Sequence, residues 1–418
     1  MQKISHKLSL ATCTLLGGAQ QAQAEAIDNA WDLDSSILYY SEADDRVSVT
    51  KAMAFLSGEL SPRDSINVNL VLDTMSGATP TGAVKSQSSS VTSFTGASGA
   101  SATIDGGASV DRVHFSDTRM GVALSWDHQL NRTHTISYGG SLSVEKDYQS
   151  YGASINYRID SADRSHTYTF GLATAWDQIY RKTDGTPEPL SSVEDNSIFS
   201  DGERYSYDLL AGITKVFNKK TIAQLNYTLS YSDGYHTDPY KVISQVRLVE
   251  DSTTGEFAWA ELERYYESRP DSRLRHVIFT SMAHQYAGAG ETLHLDYRLY
   301  TDDWGIDSHT VTLRHRTPLS KQAYLEPHIR YYQQSAADFY LHSILDNGSS
   351  PVVLPEYASA DNRLAETTGI TLGMEYGQQL AGGKLRIRGE YINWQHQDAE
   401  YDETAAVVLQ LSYQKRFY

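Results

Sequence analysis

Cysteine is almost missing from this chain: one residue, Cys13, among 418. It sits within an N-terminal stretch that reads as an export signal, so the expected mature chain has no disulfide framework and no thiolate metal or redox centre. Long apolar runs are missing as well. Nothing after the N-terminus approaches the roughly 18 consecutive apolar residues of a spanning helix, and the mean hydropathy is −0.45. Positive charge is in short supply, with 35 Lys+Arg against 52 Asp+Glu and a formal charge of −17. That balance argues against a nucleic-acid partner, which binds through excess Lys and Arg neutralising phosphates.

What is present points outward from the cytoplasm. Lys3 and Lys7 form a basic start, Leu8 to Ala19 a modestly apolar core, and Ala22-Gln23-Ala24 a small-x-small cleavage site. Removing 24 residues from 418 leaves 394 and, with two lysines gone, takes the charge from −17 to −19. Tyr is abundant at 29 against 10 Phe, and Gly counts 29. An exported, acidic, Tyr-rich chain of weak hydropathy is either a large soluble all-β protein or an outer-membrane barrel. The barrel conceals its hydrophobicity in alternation, because one face of each strand meets lipid.

Period-2 rows run through most of the chain. Met120, Val122, Leu124 and Trp126 form one, Ile136, Tyr138, Leu142 and Val144 another. The series continues through Tyr168, Phe170, Leu172, then Leu225, Tyr227, Leu229, then Leu293, Leu295, Tyr297, Leu299, to Val407, Leu409, Leu411, Tyr413. The runs reach about 9–14 residues, whereas soluble strands cluster near 5–6 and tilted membrane strands need about 9–11. Connections alternate in character. Tight ones fall at 61–65, 129–131, 161–164, 218–220, 287–290, 318–321 and 381–383; long ones near 76–116, 181–203, 232–272 and 334–364. Short turns on one rim and long loops on the other are the pattern of a bacterial outer-membrane barrel.

The expected fold class is therefore all-β: residues 1–24 are signal and 25–418 one transmembrane, antiparallel, up-and-down β-barrel. Sixteen strands is the expected count, starting with one at 33–41. Fourteen or eighteen are the alternatives, because 232–272 can hold a hairpin pairing Val242 to Val249 with Phe257 to Tyr266. The Ser/Gly/Thr/Ala-rich segment 76–110 is expected to be an external loop, either mobile or folded into the lumen. The C-terminus is aromatic, but the outward phase of the last strand leads to Phe417 and leaves Tyr418 one residue beyond.

Several segments are similar to the uncharacterised bacterial family catalogued as domain of unknown function 3570. They are Asp73-Thr74-Met75-Ser76-Gly77-Ala78-Thr79-Pro80-Thr81-Gly82-Ala83, Arg269-Pro270-Asp271-Ser272-Arg273, Asp302-Asp303-Trp304-Gly305-Ile306, Arg330-Tyr331-Tyr332-Gln333 and Ala358-Ser359-Ala360-Asp361-Asn362-Arg363-Leu364. The resemblance implies an outer-membrane barrel of about this length and carries no activity with it.

If the apolar rows face lipid, the opposite rows face the lumen. They carry His294, Asp296 and Arg298; Arg314 and Arg316; Glu326, His328 and Arg330; Glu375; and Arg386, Arg388 and Glu390. Arg at the bilayer midplane costs about 2–4 kcal/mol, so charges this numerous in one shared phase point inward. They read as a polarised pore wall biasing passage of small polar solutes, or as ion pairs that fill the lumen. A surface-binding or assembly role through the long loops is the second functional reading, and a barrel-embedded hydrolase the third. The last finds only His294 beside Asp296 and His396 at a strand end, with no nucleophile motif. Asp302-Asp303 and Glu194-Asp195 offer oxygen ligands without a Ca²⁺-loop pattern, so neither metal nor cofactor is expected. Expected partners are outer-membrane lipid and lipopolysaccharide, the barrel-assembly machinery during insertion, and the solutes. Oligomeric state stays open, since a subunit interface would look like lipid-facing surface.

Overall fold

The alternating rows fold as the wall of one closed barrel in a computed structural model of the chain. The structure describes residues 31–417 apart from 44–45, 81–91, 96–100, 105–111, 182–184, 196–201, 251–256, 287–289, 347, 349–352 and 400. The signal expected at 1–24 and Tyr418 lie outside the described residues.

In chain order the first strands are β1 (Trp31–Glu42), β2 (Val47–Ser61), β3 (Asp64–Pro80), β4 (Thr92–Thr95), β5 (Ser101–Ile104), β6 (Arg112–Gln129) and β7 (His134–Val144). Next come β8 (Tyr148–Asp160), β9 (His166–Ile179), β10 (Gly202–Asn218), β11 (Thr221–Gly234), β12 (Val242–Glu250), β13 (Phe257–Tyr266) and β14 (Ser272–Gln285). The last are β15 (Thr292–Asp302), β16 (Asp307–Pro318), β17 (Ala323–Gln334), β18 (Ile344–Leu345), β19 (Thr367–Leu380), β20 (Gly383–His396) and β21 (Glu403–Phe417). Sixteen of these, all but β4, β5, β12, β13 and β18, form a barrel in which every neighbour is antiparallel. β1 closes it against β21, with Trp31 opposite Phe417.

The strand count is the expected one, and the hairpin within 232–272 exists without joining the wall. β12 and β13 pair with each other and with β18 in a separate three-stranded sheet. Two expected boundaries move. β3 and β6 stay paired as far as Pro80 and Arg112, so both ends of the segment placed as loop at 76–116 are strand. Ser, Gly and Thr there extend the ladder through backbone hydrogen bonds alone, without the apolar alternation by which a membrane strand is recognised. Part of the remainder forms the short hairpin β4–β5.

The outward rows are bare apolar surface. Met120 is 65% exposed, Leu409 56% and Phe417 37%, which puts Phe417 on the outward row as its phase requires. Such a surface suits a bilayer and not water. Tyrosine-histidine pairs stud it: Tyr157–His134 and Tyr286–His315 towards the short-turn rim, Tyr297–His309 and Tyr227–His276 towards the other. Each hydroxyl is hydrogen-bonded to an imidazole, which satisfies the polar tip of an otherwise apolar ring. Four of the 29 tyrosines are placed in this way.

Glycines on the inward row of β19 give the lumen room. An added Cβ at Gly377 would stand 2.0 Å from the ring of Tyr324, whose hydroxyl bonds Glu375 at 2.6 Å. Gly377→Val should therefore displace that ring and lower barrel stability by about 1–3 kcal/mol, the usual cost of overpacking. Thermal unfolding in detergent checks it: a midpoint equal to wild type would mean that the ring moves freely.

Candidate functional site: a charged lumen with a roofed outer cavity

Twelve side chains were expected on the inner wall, and the structure joins most of them in pairs. Arg314 Nη2 bonds Asp296 at 2.8 Å, and Arg316 Nε bonds Glu326 at 2.6 Å. His328 Nε2 and Arg388 Nε both meet Glu390 Oε1, at 3.2 and 3.3 Å. Arg386 reaches past β21 to Asp34 on β1 at 2.6 Å, a span available only along one face of the sheet. Glu326 and Glu375 stand opposite each other in the ladder, and the repulsion is relieved because Arg316 takes one and Tyr324 the other. Arg298 lies 5.2 Å from the Tyr300 ring centre. Arg330 makes no ion pair among the described residues and sits between Thr312 and Thr371. The His294–Asp296 dyad considered for hydrolysis is not one: Asp296 accepts from Ser281 Oγ at 2.6 Å and from Arg314. Among the described residues no cluster of His, Cys, Asp or Glu could hold a metal.

The most elaborate chemistry lies elsewhere, at the long-loop rim. Segments around 185–195, 235–271 and 335–366 fold together instead of standing free. Ser192 bridges Tyr265, Ser268 bridges Ala358, and Tyr340 bridges Ser359. Two apolar clusters anchor the layer. One packs Ile243, Tyr265, Ile344, Ala358 and Ala360; the other seats Phe339, Ala337 and Leu364 on Val277, Tyr300, Trp304 and Ile306 at the barrel rim. Trp304 is the keystone: its ring meets Phe339 edge-on at 5.1 Å, and its Nε1 donates to the Ser272 carbonyl at 2.8 Å. The turn that presents it depends on Asp302, whose Oδ1 accepts from the N–H of Trp304 and Ile306. It also depends on Gly305 at φ 81°, in the left-handed region that favours glycine.

A buried ionic node ties this layer down. Arg269 bonds Glu267 at 2.7 and 3.0 Å and Asp361 at 2.8 Å. Arg363 adds Nε bonds of 2.9 and 2.7 Å to Asp361 and reaches Asp238 at 3.1 Å. Glu267 is fully buried and Asp361 nearly so. Burial pushes the Glu267 carboxyl up, outweighing the pull of Arg269, while Asp238 and Asp361 add to the rise. Burial would raise Asp361 too, but Arg363, Lys241 and Arg269 together hold it well below the usual carboxylate range. His236 is pushed down to about 3 by burial, with Arg204 beside it adding to the shift. Its Nδ1–H donates to the Gly234 carbonyl at 2.8 Å, so Nε2 accepts from the Ser232 hydroxyl at 2.8 Å.

Beneath the layer the lumen holds a cavity of about 280 Å³. One side is built of small residues from β7 to β9, including Gly139, Ser141, Gly152, Ser154 and Ala175. The other carries guanidinium groups, most of which the protein neutralises itself. Arg119 is paired with Asp73, Arg204 with Asp177, and Arg273 with Asp302. None of the twelve expected residues lines this cavity. Arg204, Ser206 and Asp208 on β10, and Arg273 and Arg275 on β14, carry the same inward phase, so alternation would have found them. Three segments of the family resemblance, 269–273, 302–306 and 358–364, converge here and supply Arg269, Arg273, Trp304 and Arg363 to its lining.

A closed sixteen-strand barrel with an apolar outer belt, a charged interior and loops gathered at one rim defines the class: a transmembrane β-barrel of the bacterial outer-membrane type. Within that class, the chain belongs to the family described as protein of unknown function (DUF3570), whose model matches residues 5–414. No curated protein sequence matches it. Among solved structures it is similar to the ferric enterobactin receptor PfeA of Pseudomonas aeruginosa in complex with BCV-L6, at 10% identity and TM-score 0.44, covering 90% of this chain and 55% of the receptor. The siderophore receptor PirA from Pseudomonas aeruginosa gives 8% identity and TM-score 0.43 over 94% and 66% of the two chains. A bacterial polysaccharide outer membrane secretin gives 8% and 0.45 over 94% and 100%. The chain thus spans about half the length of the PfeA receptor.

Proposed function

We propose that the protein is an outer-membrane channel of a Gram-negative cell that passes small polar solutes through its charged lumen, without catalysing their reaction. The observation carrying this reading is the cavity at the outer end of the lumen, beneath the folded loop layer and lined by ionic side chains together with small ones. A sixteen-strand wall encloses more space than side chains fill, as in barrels that keep an aqueous channel. The paired ions of the wall let charge line that space at low cost, leaving hydrogen-bonding groups to replace a solute's water shell. Outward rows meet acyl chains, and rim residues meet lipopolysaccharide head groups. Insertion then falls to the barrel-assembly machinery.

Planar-bilayer recording of the purified protein tests the reading. Stable single-channel steps support it, and a silent barrel defeats it. Ion selectivity adds a residue-level check. Replacing Arg386 and Arg388 with Gln removes two cations and leaves Asp34 and Glu390 without them. The reversal potential in a KCl gradient should move towards cation selectivity, and an unchanged value would leave these arginines as filler.

A second reading, binding through the external loops, has one observation in its favour. The hairpin β12–β13 exposes Leu248, Val249, Phe257 and Trp259, an apolar patch in a sheet separate from the barrel wall. Deleting its tip would abolish binding to a surface partner while leaving conductance intact.

A further inference from the structure

Asp208, Ser230 and Arg275 lie in one cross-strand row on the inner face of three successive strands. Asp208 stands opposite Ser230 between β10 and β11, and Ser230 opposite Arg275 between β11 and β14. The outward neighbours Leu209, Tyr231 and Ile278 are exposed to the membrane side, which fixes the row's inward direction by alternation. All three residues carry an unsatisfied side-chain atom: Asp208 Oδ1, Ser230 Oγ and Arg275 Nε have no hydrogen-bond partner among the described residues. Ser230 is fully buried. Buried polar groups in folded proteins are nearly always partnered, and exceptions ask for an explanation such as a ligand.

Two arginines beside them do not share this condition. Arg204 is held by Asp177 and Arg273 by Asp302, whereas among the described residues Arg275 is a cavity-lining guanidinium with no ion pair and Asp208 a cavity-lining carboxylate with none. One strand, β11, lies between them, about 9.5 Å at the backbone, and they make no ion pair with each other among the described residues. A simple anion would satisfy Arg275 but face the charge of Asp208, and a simple cation would do the reverse. A molecule bearing both charges satisfies both ends and brings no net charge into the lumen. The cavity of about 280 Å³ is at the lower end of ligand-pocket volumes, which restricts the occupant to something small.

We propose that Asp208 and Arg275 form a binding subsite for a small zwitterionic solute of the amino-acid or dipeptide class. Its ammonium lies against Asp208 and its carboxylate against Arg275, with Ser230 buried in the wall between them. The proposal deepens the channel reading and rests on it for the solute's route to the cavity.

Calorimetric titration of the detergent-solubilised full chain with glycylglycine tests it, with acetate and ethylammonium as single-charge controls. Wild type should bind glycylglycine more tightly than either control. Asp208→Asn and Arg275→Gln should each weaken it by about tenfold or more, as expected when one partner of a charge pair is truncated. Ser230→Ala should weaken it less. Unfolding midpoints within a few degrees of wild type would show that the variants fold. Equal affinity across wild type and variants, tighter binding of acetate than of glycylglycine, or no binding of any probe would overturn the subsite. Conductance recorded on the same preparations separates the two ideas. Conductance without glycylglycine binding sinks the subsite alone, and binding without conductance sinks the channel alone.

Discussion

Replacing Arg269 with Met is expected to destabilise the folded outer loops by about 3–5 kcal/mol while the barrel wall stays intact. The magnitude follows from what the side chain leaves behind. Arg269 hydrogen-bonds Glu267 and Asp361 through Nη2 and adds an ion-pair contact to Glu267 through Nε, and both carboxylates are buried. Truncating one member of a buried ionic cluster strands the opposite charges where water cannot reach them, which costs more than the cluster itself contributes. Glu267 also accepts the backbone N–H of Asp238 at 2.6 Å and the hydroxyl of Ser359, so its displacement would unseat two of the three folded segments. Limited proteolysis of the protein in vesicles is the measurement. Cleavage within 235–271 and 335–366 should accelerate strongly, and the trypsin-resistant barrel should persist. Arg269→Lys keeps the charge and loses the planar fork, and should fall between. Protease resistance equal to wild type in Arg269→Met would mean that the apolar clusters around Ile243 and Trp304 hold the layer unaided.

The barrel could be read from the sequence because a membrane wall imposes one rule on every strand. Rows such as Met120 to Trp126 and Val407 to Leu411 had to be apolar on alternate residues, and the parity of short and long connections then gave β1 and the count of sixteen. The outer layer obeys no such periodic rule. Its ionic node joins Asp238, Glu267, Arg269, Asp361 and Arg363, residues up to 125 positions apart, and nothing in local patterning marks them as neighbours. The segments that carry the family resemblance hold three of the five, Arg269, Asp361 and Arg363, without saying why. Asp302 serves a turn and an arginine at once, and Gly305 supplies a left-handed backbone that no patterning rule requires. The wall arginines singled out first, Arg314, Arg316, Arg386 and Arg388, were visible because they sit within long, regularly alternating rows of β16 and β20. Arg204 and Arg275 were also in phase, near the long-loop ends of β10 and β14, and only the closed cylinder brings them to one cavity.

Acidification should loosen the same layer through His236, and here the sign is fixed by the imidazole's surroundings. Burial and Arg204 on β10, with Arg273 and Arg275 on β14, lower its pKa from 6.5 to about 3. With Nδ1–H given to the Gly234 carbonyl, Nε2 must stay unprotonated to accept from Ser232. A base with a depressed folded pKa contributes stability that is full above 6.5 and is lost as pH falls towards 3, because in that window only the unfolded loop takes up the proton. The slope is about 1.4 kcal/mol per pH unit, so roughly 2 kcal/mol disappears between pH 7 and pH 5. Glu267 acts in the opposite sense. Its raised pKa favours the folded layer as protons become available, so the wild-type profile is the difference of two trends. His236→Gln removes the first and leaves the second. Hydrogen exchange of the 235–271 and 335–366 backbone, measured from pH 7 to pH 5 and corrected for intrinsic rates, should show the wild-type advantage over His236→Gln shrinking by about 2 kcal/mol. Parallel profiles for the two proteins would show that His236 titrates freely and that the outer loops do not enclose it.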